Sequence, residues 1–182
     1  MADFNIETLN ELLVQCIDKQ PKAQKKLFDI LSPRMFAICL RYSQNEDEAK
    51  DLLQEGFIKI FNNLEQFSNK GSLEGWIKRI FINTCIEFHR KNQKHRFLDN
   101  IENVTEISID SQTLSLLKKA DLMKLVQKLP KGYRTVFNLF VVDGYGHSEI
   151  AEMLNVSENT SKTQLFRARQ ILQEIILKQD LK

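Results

Sequence analysis

Apolar residues recur at three- and four-residue intervals along most of this chain, the period of an amphipathic helix. In the opening stretch Leu9, Leu12, Leu13, Cys16 and Ile17 fall on one face. Pro21 then starts a second element, whose stripe runs through Leu27, Phe28 and Leu31 to Met35, Ile38 and Tyr42. Pro33 interrupts that stripe, so it is expected at a helix start or a kink. The next stretch opens on Glu46, Asp47 and Glu48, the charge that a helix N-terminus favours. It continues with Leu52, Leu53, Phe57, Ile60, Phe61 and Leu64. The polar run "SNKGS" breaks the period, and a long helical pattern follows from Leu73 to a basic end at Arg96.

The pattern then stops. From Phe97 to Leu117 there are four acids (Asp99, Glu102, Glu106 and Asp110) and no Lys or Arg, with short apolar pieces of no clear period. Helical spacing resumes at about Lys118. The predicted fold is therefore all-α: two small helical domains, 1–96 and 118–182, joined by an acidic flexible linker, 97–117. Composition adds to this only at the margins. Six Gly and three Pro in 182 residues argue against sheet-and-turn architecture. No apolar run approaches the roughly 18 residues of a membrane span. The start "MADFNIETLNELL" lacks a basic segment followed by an apolar one, so no signal peptide and a cytoplasmic location are expected. The three cysteines, Cys16, Cys39 and Cys85, lie within apolar stripes, as buried thiols of a reducing compartment would.

The segment "HSEIAEMLNVSENTSKTQLFRARQIL" reads as two helices around a tight turn, a helix-turn-helix. Ala151 is small enough for the crossing, with Ile150 and Leu154 on the same buried face. Asn155 suits the left-handed residue that ends a helix, and Ser157 suits an N-cap. In the second helix Leu165, Ala168 and Leu172 face inward, with Ser161 one turn earlier. The other face presents Asn159, Lys162, Thr163, Phe166, Arg167 and Gln170, donors for phosphates and base edges together with an exposed Phe for a thymine methyl or sugar. The bland alternative is an amphipathic pair with a solvated polar face.

Between Trp76 and Arg96 lie Lys78, Arg79, Arg90, Lys91, Lys94 and Arg96, opposed by Glu87 alone, with Phe81 and Phe88 interleaved. Cations beside aromatic rings suit single-stranded nucleic acid, whose backbone the cations track and whose bases the rings stack on or wedge against. Asn83 carries a donor and an acceptor that match a base edge. The alternative is a core helix made soluble by its basic residues. Cys85 and His89 at i, i+4, with His95 near, make only a fragment of a metal site, lacking a fourth ligand and any C-x-x-C. There is no phosphate loop, metalloprotease helix or nucleophile elbow. No metal, cofactor or enzymatic activity is expected. A DNA-binding regulator with a ligand domain in its first half would carry the same helix-turn-helix, and it predicts dimers on palindromic DNA.

Three stretches in order, "EAKDLLQEGFIKIFNNLEQF", "SLEGWIKRIFINTCIEFHRK" and "LPKGYRTVFNLFVVDGYGHSEIAEMLNVSENTSKTQLFRARQIL", resemble the extracytoplasmic-function sigma factors, small two-domain members of the bacterial primary-sigma superfamily. The resemblance covers nearly the whole chain. It implies a non-enzymatic protein that binds core RNA polymerase and directs it to promoter DNA. Asp51, Gln54, Glu55 and Phe57 match the family's polymerase-contact helix. The stretch from Gly75 to Lys91 would melt and read the −10 element on the non-template strand. Within it Trp76 and Arg79 match positions near DNA, Asn83 matches a base-reading position, and Arg90 and Lys91 add backbone charge. Lys162, Thr163, Phe166 and Arg167 match positions that contact the −35 duplex, and Asn159 on the same face joins them as a candidate −35 contact. The family also implies an anti-sigma factor as a partner. The net charge of only +2 then reads as local sorting: cations on the DNA-facing helices, acids on the linker and the docking helix.

Overall fold

The computed structural model describes residues 6–68, 71–92 and 119–180, and all regular structure among them is helical. The described residues form two compact units, which divide between Phe88 and His89. The acidic segment 97–117, with its four carboxylates, lies outside the described residues, as do Lys94, His95 and Arg96.

The first unit is built from α1 (Ile6–Ile17), α2 (Pro21–Tyr42), α3 (Glu46–Asn63), a short 3-10 turn at Leu64–Gln66, and α4 (Leu73–Asn92), whose last turn from His89 runs past that division. Pro21 opens α2 at its first turn, where its missing N–H costs nothing. Pro33 neither starts nor ends a helix; α2 runs through it without a break. The ring is exposed, while Leu31 and Met35 on either side are buried. Burial of a large apolar side chain contributes about 1.5–3 kcal/mol, so two flanking anchors offset the roughly 3 kcal/mol that an interior proline costs. The acids at the start of α3 act as expected from their position. Asn45 Oδ1 accepts the Glu48 N–H at 2.8 Å, and the Glu48 carboxylate reaches back to the Gln44 N–H at 2.8 Å.

The core of this unit centres on rings. Phe57 packs against Phe28, Phe61 and Phe81, with centroids 4.5, 5.9 and 5.4 Å away. Phe81 reaches this cluster because α3 carries Gly56 at the contact. A methyl built on Gly56 would lie 2.6 Å from Cδ1 and 2.7 Å from Cζ of that ring. Cys39 and Cys85 are free thiols, both fully buried, and the hydrogen bond with Cys39 together with burial pushes the Cys85 thiol well up.

The second unit contains α5 (Lys119–Gln127), α6 (Lys131–Phe137), which continues into a π-helical turn at Asn138–Val142, then α7 (His147–Leu154) and α8 (Glu158–Asp180). Helices α6 and α7 pack against α8. The inward side of α8 is Ser161, Leu165, Ala168, Leu172 and Ile176, each no more than 5% exposed.

Candidate nucleic-acid interface

Two faces of the first unit leave charged groups in solvent. On α3, Asp51 and Gln54 are exposed and Glu55 is half-buried. Residues three and four apart share a helix face, so these three lie together. Ile58, one turn on, is 60% exposed and completes the stripe with an apolar surface. Phe57 is not part of it. At 3% exposure and surrounded by three rings, it holds α3 in the core. The reading that placed Phe57 at the docking surface is corrected accordingly: the apolar group that α3 offers outward is its neighbour Ile58.

On α4 the spacing does the same sorting. Ile77, Phe81, Ile82, Cys85 and Ile86 are buried. Arg79, Asn83, Arg90 and Lys91 are exposed, and Glu87 sits among them. Trp76 is half-buried at the start of this face, with Phe67 against it at a centroid distance of 5.5 Å. The sequence pattern passed over Phe67, which lies nine positions back across the "SNKGS" break; only the return of the chain joins the two rings. Arg34 of α2 ties down the beginning of α4, its Nη1 donating to both carboxylate oxygens of Glu74 at 2.8 Å.

Lys59 bridges the two faces. Its ammonium lies 3.3 Å from Glu55 on α3 and 2.7 Å from Glu87 on α4. Partial burial works against its charge, but the bonds to Glu87 and Glu55 prevail and hold its pKa above the ordinary lysine value.

The helix-turn-helix forms from local chemistry as its sequence predicts. Asn155 ends α7 at φ 54° and ψ 50°, and the Val156 N–H donates to Ala151 O at 3.0 Å, a six-to-one closure of the helix end. Ser157 Oγ accepts the Thr160 N–H at 3.0 Å as the N-cap of α8. At the other end of α7, Gly146 is the cap residue and its N–H donates to the Glu149 carboxylate at 2.8 Å.

On α8, Asn159 and Lys162 are exposed, while Thr163, Phe166, Arg167 and Gln170 are half-buried. Phe166 therefore presents part of its ring rather than all of it. Arg167 Nη1 donates to Gln170 Oε1 at 3.1 Å, which orients the guanidinium along the helix. Lys162 pairs with Glu158 at 2.7 Å, and this partner holds the Glu158 carboxyl below the usual range.

His147 joins the two helices of the motif. Its Nδ1 lies 2.9 Å from the buried Ser161 Oγ, and its ring stacks on Phe140 at 4.4 Å. Burial, helped by Lys162 and Arg169 and opposed by Glu158, lowers its pKa below the ordinary imidazole value. The neutral ring is thus favoured by the folded state. The stability it contributes is complete above the ordinary value near pH 6.5 and is lost as pH falls through that value towards the lower folded one. Thermal unfolding of the second unit is expected to begin at lower temperature at pH 5.5 than at pH 7.5. His147→Gln should flatten this dependence; an equally steep profile in the variant would exclude His147 as its source.

Among the described residues no three His, Cys, Asp or Glu side chains are grouped to hold a metal ion, and no helix is long and apolar enough to cross a membrane.

A helix-turn-helix unit following a helical unit with one exposed acidic face and one exposed basic face defines a two-unit, all-helical DNA-binding protein. Residues 27–95 match the family described as Sigma-70 region 2, and residues 119–172 match Sigma-70, region 4. The chain belongs to the extracytoplasmic-function sigma factors of the sigma-70 family, and its function is promoter-specific initiation of transcription. The RNA polymerase sigma factor SigV of Bacillus subtilis is 29% identical over 175 residues, covering 96% of this chain and 97% of that one. The sigma factor YlaC of the same organism is 31% identical over 134 residues, covering 71% and 78%. The sigma factor RpoE of Bartonella quintana, solved with the anti-sigma factor NepR, shares the fold at a TM-score of 0.51 and 23% identity, covering 85% of this chain and 96% of that one.

Proposed function

We propose that the three exposed faces divide the work of initiation among themselves. Asp51, Gln54, Glu55 and Ile58 on α3 dock on a basic coiled surface of core RNA polymerase, where acidic and apolar groups give both steering and area. Trp76, Arg79, Asn83, Arg90 and Lys91 on α4 engage the melted non-template strand of the −10 element. Cations there follow phosphates, the Trp76 ring packs on a base, and the Asn83 amide reads a base edge. Asn159, Lys162, Thr163, Phe166 and Arg167 on α8 enter the major groove of the −35 duplex. Residues 1–96 form the docking and −10 domain, 118–182 the −35 domain, and the acidic stretch 97–117 links them, its charge mimicking nucleic acid along a basic channel of the polymerase. Phe57 supports this arrangement from the core.

The observation that carries this reading is the sorting of exposed charge: acids and Ile58 on α3, cations and Asn83 on α4, polar donors on α8. Each surface has one prevailing chemistry, with Glu87 the single carboxylate on the α4 face, as three different partners require. The chain itself is not an enzyme; catalysis belongs to the polymerase. It works in the cytoplasm beside its promoter DNA, and an anti-sigma factor of the kind solved with its structural relatives holds it inactive. It needs no cofactor.

Run-off transcription with core polymerase and a pool of promoters tests the reading. The protein is expected to give promoter-specific starts, and Asn83→Ala should slow open-complex formation about tenfold, the value of one well-placed base contact, while leaving duplex −35 binding unchanged. A folded protein that assembles with polymerase yet yields no specific start would refute the division of roles.

A further inference from the structure

The basic face of α4 contains one carboxylate. Glu87 lies four residues from Asn83 and three and four from Arg90 and Lys91, so its side chain is a surface neighbour of all of them. A phosphate following that face comes well inside the roughly 8 Å over which charges interact at physiological salt. A bare carboxylate in that place repels the strand that the face is meant to hold. The structure supplies a cation for it from another helix: Lys59 of α3, 28 positions earlier, at 2.7 Å. The same ammonium lies 3.3 Å from Glu55 on the docking stripe. Glu87 is half-exposed, with a side-chain accessibility of 50%, whereas Lys59 is withdrawn to 30%.

We propose that Lys59 is a positioning residue of the −10 interface, neutralising the Glu87 carboxylate inside the basic face of α4, and that it links this face to polymerase docking because it also engages Glu55. The inference rests on the assignment of α3 to docking and α4 to the −10 strand. Its consequence is directional. A basic partner that takes over Glu55 leaves the Lys59 charge wholly to Glu87, so docking makes the α4 face more favourable to DNA. Lys59 touches neither DNA nor polymerase in this scheme and acts through its two carboxylates.

Holoenzymes carrying Lys59→Met, Glu87→Gln and both changes test the link by two readouts, affinity for core polymerase and rate of promoter opening. Lys59→Met is expected to slow opening about fivefold, the upper range for a partly exposed ion pair. It should leave polymerase affinity unchanged or improved, since Glu55 is freed. The opening defect should shrink as salt rises. Glu87→Gln alone should not slow opening, and the double variant should open within about twofold of the unsubstituted protein, the two charges having been removed together. An equal slowing by Lys59→Met with and without Glu87→Gln overturns the proposal. So does a parallel loss of docking and opening, which marks a merely structural lysine. Asn83→Ala serves as the reference: if it leaves opening unaffected, the assignment of α4 has failed rather than the role of Lys59.

Discussion

Replacing Gly56 with alanine is expected to destabilise the first unit by about 2 kcal/mol. The added methyl would sit 2.6 Å from Cδ1 of Phe81, where no real contact is tolerated. Phe81 is fully buried and its ring is packed edge-on against Phe57, so any shift of the ring disturbs its core neighbours. Overpacking of this kind typically costs about 1–3 kcal/mol, with larger values where the neighbour is trapped. Alanine gains roughly 1 kcal/mol over glycine in a helix interior, which offsets part of the clash without cancelling it. The melting temperature of the unit should fall by roughly 10 °C, given the usual sensitivity of domains near 100 residues. Gly56→Ala combined with Phe81→Leu should recover part of the loss, because the smaller side chain vacates the contested volume. On the proposed division of roles, docking and −10 engagement should fail together, since α3 and α4 meet at this contact. An alanine variant that melts like the parent would show that Phe81 can move aside.

Arg167→Ala is expected to lower discrimination among −35 sequences by roughly 5- to 150-fold, the 1–3 kcal/mol of a side chain that reads a base edge. Arg167 is half-buried, and its guanidinium is held by Gln170 at 3.1 Å. An oriented fork of donors has less freedom to lose on binding than a solvated chain. Lys162 makes the useful contrast. It is exposed and paired with Glu158 at 2.7 Å, so on the proposed reading it would meet DNA as a point charge already shared with a carboxylate. Lys162→Ala should weaken all sequences to a similar, smaller extent and reduce the salt slope by about one. Binding of holoenzyme to a panel of single-base −35 variants separates the two. If Arg167→Ala weakens every sequence equally, the residue contacts phosphate and the base-reading role is wrong.

Much of this arrangement is legible in the chain alone, and the reason is distance along it. The stripes of α2, α3 and α4 follow from apolar spacing, because a helix side chain's neighbours lie within four residues. The turn at Asn155 and the cap at Ser157 follow for the same reason, each bond closing over three to five positions. Pro33, expected at a helix start or a kink, does not start a helix. Its ring opposes a helix, but burial of Leu31 and Met35 around it carries α2 through. The resemblance likewise named Asp51, Gln54 and Glu55 as a set, and they share an exposed stripe. It also named Phe57, which packing removes from the surface.

What the sequence determined by itself was the helical content of the described residues, the helix-turn-helix and the sign of charge on each stretch. Those properties are sums over near neighbours. Tertiary structure alone decided which of Phe57 and Ile58 faces solvent, that Phe67 meets Trp76, that His147 ties α7 to Ser161 of α8, and that one lysine serves carboxylates on two helices. Each of these depends on the register and closeness with which helices pack. Between α3 and α4 that closeness depends on Gly56, which lets the ring of Phe81 lie against the backbone of α3.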